Sequence, residues 1–230
     1  MRLVLTLVIL LTFCGTALAG PGFPGRPITS NAFGRTGYTL HRDEFTIGLG
    51  PIYFGISENF HAGTNLLLWA FQVYNADVKA ALKKDDDGAV AIGLQAYRLS
   101  LDVGDSDGEF DFLALAPYAA ISQRITPKTM VHLGGQYAYF EAEEDTDIDD
   151  AEASESATGT NIYMGIEHSR SNRTKFVADV GYDTTFEGMR LSGAFLFGWE
   201  RFRIKLGLSY FTAGDGFTFP LIGMWWRFKA

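Results

Sequence analysis

The sequence is poor in cysteine and histidine, which limits the chemistry it can carry. Cys14 is the only cysteine among 230 residues, and there are four histidines. An internal disulfide is therefore excluded, and no His/Cys set has the close spacing of a metal site. The sequence also has no Gly-rich phosphate loop and no basic patch of a nucleic-acid-binding protein. We therefore expect no cofactor and no nucleic-acid partner.

Long apolar runs are also scarce. Beyond the N-terminal segment, no uncharged apolar run approaches the ~18 residues that a membrane-spanning helix needs. The apolar run at residues 3–13 follows Arg2 and precedes a small-x-small cleavage pattern that ends at Ala19. This arrangement predicts a secretory signal peptide over residues 1–19, followed by an N-terminal periplasmic segment over residues 20–37.

Alternation of apolar and polar residues is abundant instead. Period-two patterns cover residues 161–167, 174–183, 189–200 and 202–210, and this period indicates β-strands. Runs of about ten residues exceed the ~5–6 residues typical of soluble sheets. Aromatic residues near the ends of the apolar faces are typical of membrane girdles. A water-soluble sandwich, in which the apolar faces form a core, is the alternative.

The final segment of this kind, residues 217–228, favours a membrane protein. One face of a strand there carries Pro220, Ile222, Met224, Trp226 and Phe228. A last strand that is apolar on one face and ends in an aromatic residue is what a secreted outer-membrane barrel presents to the barrel assembly machinery. We therefore predict an all-β fold, a transmembrane antiparallel up-and-down β-barrel over residues 38–230. Its partners would be outer-membrane lipid, lipopolysaccharide and that machinery, with the oligomeric state left open.

Turn-forming residues set the number of strands. Short polar breaks, which suit tight inner turns, occur at residues 57–59, 85–88, 126–128, 171–173 and 200–201. Outer loops interleave with them at residues 50–51, 71–74, 103–109, 141–159, 184–188 and 213–216. Five inner turns and six outer loops join twelve strands. The breaks at 50–51 and 71–74 are weakly marked, so ten strands is the alternative.

The N-terminal part resembles a known group of proteins. The residues that carry the resemblance are Gly34-Arg35-Thr36, Tyr38-Thr39-Leu40, Glu44-Phe45, Ile47-Gly48, Tyr53-Phe54-Gly55-Ile56-Ser57-Glu58-Asn59 and Gly63-Thr64. They are similar to the opening of an uncharacterised bacterial outer-membrane β-barrel protein family. The resemblance covers roughly residues 34–80, and beyond it only the general barrel pattern remains. It implies the cell outer membrane of a Gram-negative bacterium and little about chemistry.

Acidic residues are concentrated in one segment. The formal net charge is −8, and residues 141–155 hold nine acids and no base. The alternation of inner turns and outer loops places this acidic loop, residues 141–159, on the cell surface. It is either a solvated loop extended by self-repulsion or a site for loosely bound calcium or another divalent cation, bridging to lipopolysaccharide. The cation ligands would be Asp145, Asp147, Asp149 and Asp150. An EF-hand is excluded, because its sixth position is Asp150 rather than glycine.

If the apolar faces meet lipid, the opposite faces line the lumen. The residues predicted there are His61, Asp77, Lys79, His132, Gln136, Glu167, Lys175, Asp179, Arg190, Arg203, Lys205 and Arg227. Both signs of charge are present. The charges either pair and fill the interior or line a narrow water-filled path, because twelve strands lie between the filled barrel of eight and the open channel of sixteen.

The histidines give little support for catalysis. His168 and Ser169 are adjacent on a strand and point to opposite faces, so they cannot pair. His132 faces the lumen with Ser122 nearby in sequence, but no third partner is evident. We therefore predict a non-enzymatic, porin-like barrel that passes or binds small solutes or serves an envelope structural role. An outer-membrane enzyme acting on lipid or peptide is the alternative.

Overall fold

Twelve antiparallel strands close into a barrel in the computed structural model, which describes residues 28–103, 108–146 and 151–229. The strands are β1 Glu44–Gly48, β2 Pro51–Ser57, β3 Phe60–Asn65, β4 Val73–Lys84, β5 Gly88–Val103, β6 Gly108–Thr126, β7 Thr129–Thr146, β8 Ala151–Ser169, β9 Thr174–Asp183, β10 Gly188–Gly198, β11 Phe202–Phe211 and β12 Phe217–Lys229. The barrel closes where β12 pairs with β1, from Glu44↔Lys229 to Gly48↔Trp225. The prediction of a twelve-stranded up-and-down barrel is confirmed, and the ten-stranded alternative is wrong.

Burial in this barrel is inverted relative to a soluble protein. On β8 the outward Ile162 and Met164 are 60% and 54% exposed, whereas the inward Tyr163 and Glu167 are 5% and 2% exposed. Apolar side chains thus cover the outside and charged side chains occupy the inside, which suits a barrel surrounded by lipid. A soluble sandwich with an apolar core is therefore excluded.

The two ends of the barrel differ in their connections. The inner rim carries both ends of the barrel sequence, Glu44 and Lys229, together with the short turns. The outer rim carries most of the longer connections, one of which contains a single helical turn, α1 (Leu66–Trp69), capped by the side chain of Asn65. This turn explains the weakly marked break near residues 71–74, because apolar residues fill it. Within the residues described here, no helix is long and apolar enough to cross a membrane.

The acidic segment differs from the predicted loop. β7 continues to Thr146 and β8 begins at Ala151, so most of residues 141–159 are strand. Cross-strand pairing places Glu141 opposite Ser156 and Glu143 opposite Ser154. Along the β7–β8 pairing these acids face hydroxyl residues rather than other acids, whereas on the β6 side Glu143 lies opposite Asp111.

Candidate functional site

A tight hairpin precedes the first strand of the barrel. Ser30 and Arg35 form an antiparallel bridge, and the backbone N–H of Asn31 donates to the carbonyl of Gly34 at 2.8 Å. The Thr36 hydroxyl closes its base by donating to the carbonyl of Ile28 at 2.6 Å. We call residues 28–37 the plug hairpin.

The plug hairpin lies inside the barrel, and the lumen lysines hold it there. Lys79 Nζ donates to the carbonyls of Thr29 at 3.0 Å and Tyr38 at 2.9 Å. On the other side of the lumen, Lys205 Nζ donates to the carbonyl of Ala32 at 2.9 Å. The sequence predicts a periplasmic segment over residues 20–37, but residues 28–37 are inserted in the lumen. The physical reason is that the inward cations need acceptors, and the carbonyls of an inserted chain supply them.

The tip of the plug hairpin is fixed by a carboxylate and an aromatic contact. Asp179 Oδ2 accepts the backbone N–H groups of Phe33 at 2.7 Å and Gly34 at 2.9 Å. The Arg190 guanidinium lies 4.0 Å from the centre of the Phe33 ring, which is within the range of a cation–π contact. Gly34 is required here, because a Cβ at this position would lie 2.5 Å from the Tyr163 ring.

An ion pair between the hairpin and the wall anchors its second leg. Arg35 contacts Asp77 on β4 at 2.9 Å. The same carboxylate accepts from the hydroxyls of Tyr118 at 2.9 Å and Tyr53 at 3.3 Å. Every charged group in this cluster therefore has a partner, which favours a fixed position for the hairpin.

A buried polar network lies between the plug hairpin and the inner rim. The Ser122 hydroxyl pairs with His132 Nδ1 at 2.8 Å and accepts the backbone N–H of Gly37 at 2.8 Å. His132 Nε2 lies 3.7 Å from Glu167 Oε2, and Glu167 is ion-paired with Lys175. Glu167 is the third partner that the sequence did not reveal. It lies on β8, and its pairing partner on β7 is two residues from His132.

The composition of this network matches a Ser-His-acid triad, but its geometry does not. The 3.7 Å separation between His132 and Glu167 exceeds a hydrogen bond. Ser122 and His132 are 1% and 0% exposed, and the backbone of Gly37 occupies the hydroxyl. In this geometry the Ser122 hydroxyl bonds to the plug hairpin through the backbone of Gly37.

Residues 38–43 return along the inner rim to β1. The backbone N–H of Leu40 donates to His61 Nδ1 at 3.0 Å, and His41 Nδ1 contacts Glu58 Oε2 at 2.9 Å in the turn between β2 and β3. This hydrogen bond with His41 lowers the pKa of the Glu58 carboxyl below its ordinary value. The rim contacts fix the connection through which the plug hairpin enters.

The structure places the sequence-predicted lumen residues on inward positions. Nine of the twelve are buried: His61, Asp77, Lys79, His132, Glu167, Lys175, Asp179, Arg190 and Arg203. The other three, Gln136, Lys205 and Arg227, are half-buried. The sequence left open whether such charges pair or line a path. In the structure, several of them bond to the plug hairpin.

The predicted cation site cannot be placed in the same way. Asp147, Asp149 and Asp150 lie outside the described residues, and Asp145 lies on β7 with its side chain outside them too. Across the described ranges, no group of three His, Cys, Asp or Glu side chains is arranged to hold a metal ion. Calcium binding by the acidic segment therefore stays a prediction.

A cavity of about 480 Å³ lies above the plug hairpin, towards the outer rim; we call it the outer vestibule. Its floor is Ser30, Phe33, Gly34 and Arg35. Its aromatic wall is Tyr97, Phe140, Tyr163 and Phe186. Its polar wall includes Gln95, Gln136, Asn161, Asp183, Arg190 and Lys205. A cavity of this size, with aromatic surfaces and convergent polar groups, suits a small ligand.

Two side-chain pairs organise the polar wall. Gln136 Nε2 donates to Gln95 Oε1 at 2.8 Å, which leaves the Gln95 amide as a donor and the Gln136 carbonyl as an acceptor. Asn161 Nδ2 donates to Asp183 Oδ2 at 3.2 Å, and Asp183 also accepts the backbone N–H of Thr185 at 2.9 Å. The wall thus presents donors and acceptors together at fixed positions.

Solved structures with a similar fold are outer-membrane β-barrel proteins. The KdgM porin in complex with disordered oligogalacturonate matches with a TM-score of 0.46 and 7% identity, over 80% of this chain and 96% of that chain. Ail, the attachment invasion locus protein of Yersinia pestis, matches with a TM-score of 0.34 and 14% identity, over 81% and 99%. The CymD monoaromatic hydrocarbon channel matches with a TM-score of 0.37 and 11% identity, over 80% and 73%.

No family model and no curated protein matches the chain. At 7–14% identity the likeness concerns the barrel fold alone. A function for this chain has to be argued from its own lumen.

Proposed function

We propose that this chain is a non-enzymatic barrel of the Gram-negative outer membrane, which binds small solutes in the outer vestibule and passes them when the plug hairpin moves. The observation that carries the proposal is the set of contacts by which the plug hairpin is held in the lumen. Its tip is held by hydrogen bonds to Asp179 and Lys205, and its base by a hydrogen bond to Lys79. Such polar contacts can be exchanged for water one at a time. The apolar contacts of the hairpin come from Ile28 and Ala32, which pack with buried residues of β9, β10 and β12, and from Phe33 against Phe219.

Charge layers along the lumen favour solutes without net charge. Glu141, Glu143 and Glu155 lie at the outer end of the β7–β8 hairpin, and the vestibule below is lined by Arg35, Arg190 and Lys205 against Asp183. The acids oppose the approach of anions, and the bases oppose cations in the vestibule. Amide pairs and aromatic rings remain as the recognition groups, which suits a hydroxyl-rich molecule such as a small sugar.

A catalytic role has less support from the same residues. Ser122 and His132, the nearest approach to a nucleophile and base, are buried beneath the plug hairpin. An enzyme acting on lipid or peptide would need this hydroxyl to be accessible. A role in passage or binding uses the groups that do face the open vestibule.

The test is conductance in planar bilayers with the hairpin locked or free. A Cβ at Gly165 would lie 3.2 Å from Asn31 Cγ, so Asn31→Cys with Gly165→Cys places two thiols within disulfide reach. We expect intermittent openings for the unmodified protein, none for the oxidised double variant, and their return after reduction. The two single-cysteine variants are the matched controls.

Two results would contradict the proposal. Conductance that is unchanged by oxidation would show that solutes bypass the hairpin. A complete absence of openings, even in a variant whose hairpin contacts are removed, would favour a structural barrel.

A further inference from the structure

The barrel wall is incomplete beside its last strand. β12 has thirteen residues, but β1 pairs only with the last five, up to Gly48↔Trp225. One further hydrogen bond joins the Leu49 N–H to the carbonyl of Met224 at 3.0 Å. In the portion of the chain that the structure describes, residues 217–224 pair with β11 on one edge and with no strand on the other.

A cavity of about 260 Å³ lies at this free edge, lined by consecutive residues of β12. Ile222, Gly223, Met224 and Trp225 all contribute. Successive residues of a strand point to opposite faces of the sheet. The cavity touches the outward-facing Ile222 and Met224 as well as the inward-facing Gly223 and Trp225, beside the edge of β12 that β1 leaves unpaired. It therefore connects the lumen with the outside of the barrel wall, and we call it the lateral window.

The two sides of the lateral window differ in chemistry. On the lumen side it is lined by Arg203, Lys205 and Arg227, and none of its described lining residues is a carboxylate. Arg227 is ion-paired with Glu44 next to the cavity. On the outer side, Leu49 and Ile222 are 50% and 66% exposed. A cationic inner end and an apolar outer end match a molecule with an anionic head and an apolar chain.

The free edge gives a second reason for an occupant. Backbone N–H groups at an open sheet edge are poorly satisfied in hydrocarbon. Pro220 removes one such donor from this stretch. The carboxylate oxygens of an amphiphile lying in the window can accept from other groups at the edge, as lipid chains cannot.

We propose that the lateral window binds a single-chain amphiphile with an anionic headgroup, of the fatty-acid class. The head lies towards Arg203 and Lys205, and the chain passes Leu49 and Ile222 into the membrane. The plug hairpin borders the same cavity through Ile28, Thr29 and Ser30, but a lipid-like ligand at this site goes beyond solute passage past the hairpin. The proposed amphiphile differs from a phospholipid of the surrounding bilayer because it has a single chain and can diffuse freely.

Trp225 lines the window and reports on its occupation. The chain has four tryptophans, so Trp69→Phe, Trp199→Phe and Trp226→Phe leave Trp225 as the sole fluorophore. In nanodiscs, we expect 11-bromoundecanoate to quench this variant saturably, at more than tenfold lower concentration than 11-bromoundecanol. Absence of saturable quenching, or equal quenching by the alcohol, would overturn the proposal. Equal quenching by brominated phosphatidylglycerol in the nanodisc would overturn a free acid as the occupant.

A substitution that fills the window provides a matched test. A Cβ at Gly223 meets no atom closer than 3.6 Å, and a Cβ at Gly193, on β10, meets nothing within 4 Å. Gly223→Leu is expected to weaken quenching by the acid at least tenfold, and Gly193→Leu to leave it unchanged. Equal loss in both variants would overturn the assignment to the window. The conductance of Gly223→Leu is measured separately. This measurement separates a loss of amphiphile binding from a change in the channel openings that are assigned to the plug hairpin.

Discussion

Asp179 on β9 accepts the backbone N–H of Phe33 at 2.7 Å, although the two residues are 146 positions apart in the sequence. This contact, with its neighbour from Gly34, attaches the tip of the plug hairpin to the wall. Because both partners are inside the barrel, loss of the carboxylate leaves two N–H groups that only water can satisfy. The position of the hairpin is therefore sensitive to this one side chain.

Asp179→Ala is expected to loosen the plug hairpin. Each buried N–H group left unpaired costs about 1–3 kcal/mol, so the frequency of channel openings in planar bilayers should rise at least tenfold. Asp183→Ala is the matched control, since Asp183 faces the lumen nearby but bonds to Asn161 and to the outer loop. An equal rise in both variants would show that lumen charge, not the hairpin contact, controls opening.

Lys79→Met is expected to destabilise the same hairpin from the opposite wall. It removes a donor from the carbonyl of Tyr38 and leaves the carbonyl of Thr29 with the 3.4 Å bond from the Thr36 N–H, and a buried group left unpaired costs about 1–3 kcal/mol. Amide hydrogen exchange in residues 28–38 should then quicken by one to two orders of magnitude.

Lys83→Met serves as the control for this change. Its ammonium group forms an exposed pair with Asp85 at 3.2 Å, and exposed pairs contribute only ~0–1 kcal/mol. Exchange in residues 28–38 should stay as in the unmodified protein. Unchanged exchange in Lys79→Met would contradict the role assigned to that lysine.

Much of the barrel could be predicted from sequence because lipid imposes a simple rule. Period-two alternation on β8 to β11 predicted the strands and which side chains face the lumen. The short turns predicted at which end of the barrel each connection lies. The acidic hairpin was harder, because its alternation of Ala, Ser and Glu carries no apolar signal. Only its pairing, such as Glu143 opposite Ser154, makes it strand.

The plug hairpin could not be predicted in the same way, because its contacts are made entirely across the lumen. Residues 28–37 have a turn signal in Asn31 and Gly34, but nothing local tells whether the turn lies in water or in a barrel. The lumen lysines offered the one indirect signal, since buried ammonium groups require acceptors. Glu167, likewise, joins Ser122 and His132 only through strand pairing.

The outer vestibule is expected to select uncharged sugars. Binding of glucose, glucuronate and glucosamine, which differ mainly in charge, can be compared by saturation-transfer NMR in a sugar-free detergent. We expect glucose to bind at least threefold more tightly than either charged relative. The acidic residues at the outer end of the barrel repel anions, and the basic residues that line the vestibule repel cations. Tighter binding of either ion would contradict the charge-layer argument.

Gln136→Leu tests whether the amide pair recognises this solute. It removes the bond to Gln95 and the free acceptor, and glucose affinity should fall at least fivefold. Tyr137→Phe is the control, because Tyr137 is the next residue on β7 and faces outward, 48% exposed. A similar fall in both variants would place binding elsewhere.

The inner rim is expected to respond to acid through Glu58. Its pKa is lowered by the hydrogen bond with His41, so it lies below the value that the same carboxyl has in an unfolded chain. The contact therefore stabilises the rim above that value and is lost as pH falls through the lower folded value. His41→Ala should raise the Glu58 pKa towards its ordinary value in a carboxyl-carbon NMR titration. An unchanged pKa would show that other groups set it.

The plug hairpin also has a consequence for the order of assembly. Its anchors on β8, β9 and β11 come from chain that is 139–174 residues further on. Contacts of such sequence separation form late in folding. The plug hairpin, although it precedes every strand in the sequence, is thus among the last parts of the barrel to take its place, and a hairpin bound in the lumen indicates that the strands around it are already joined.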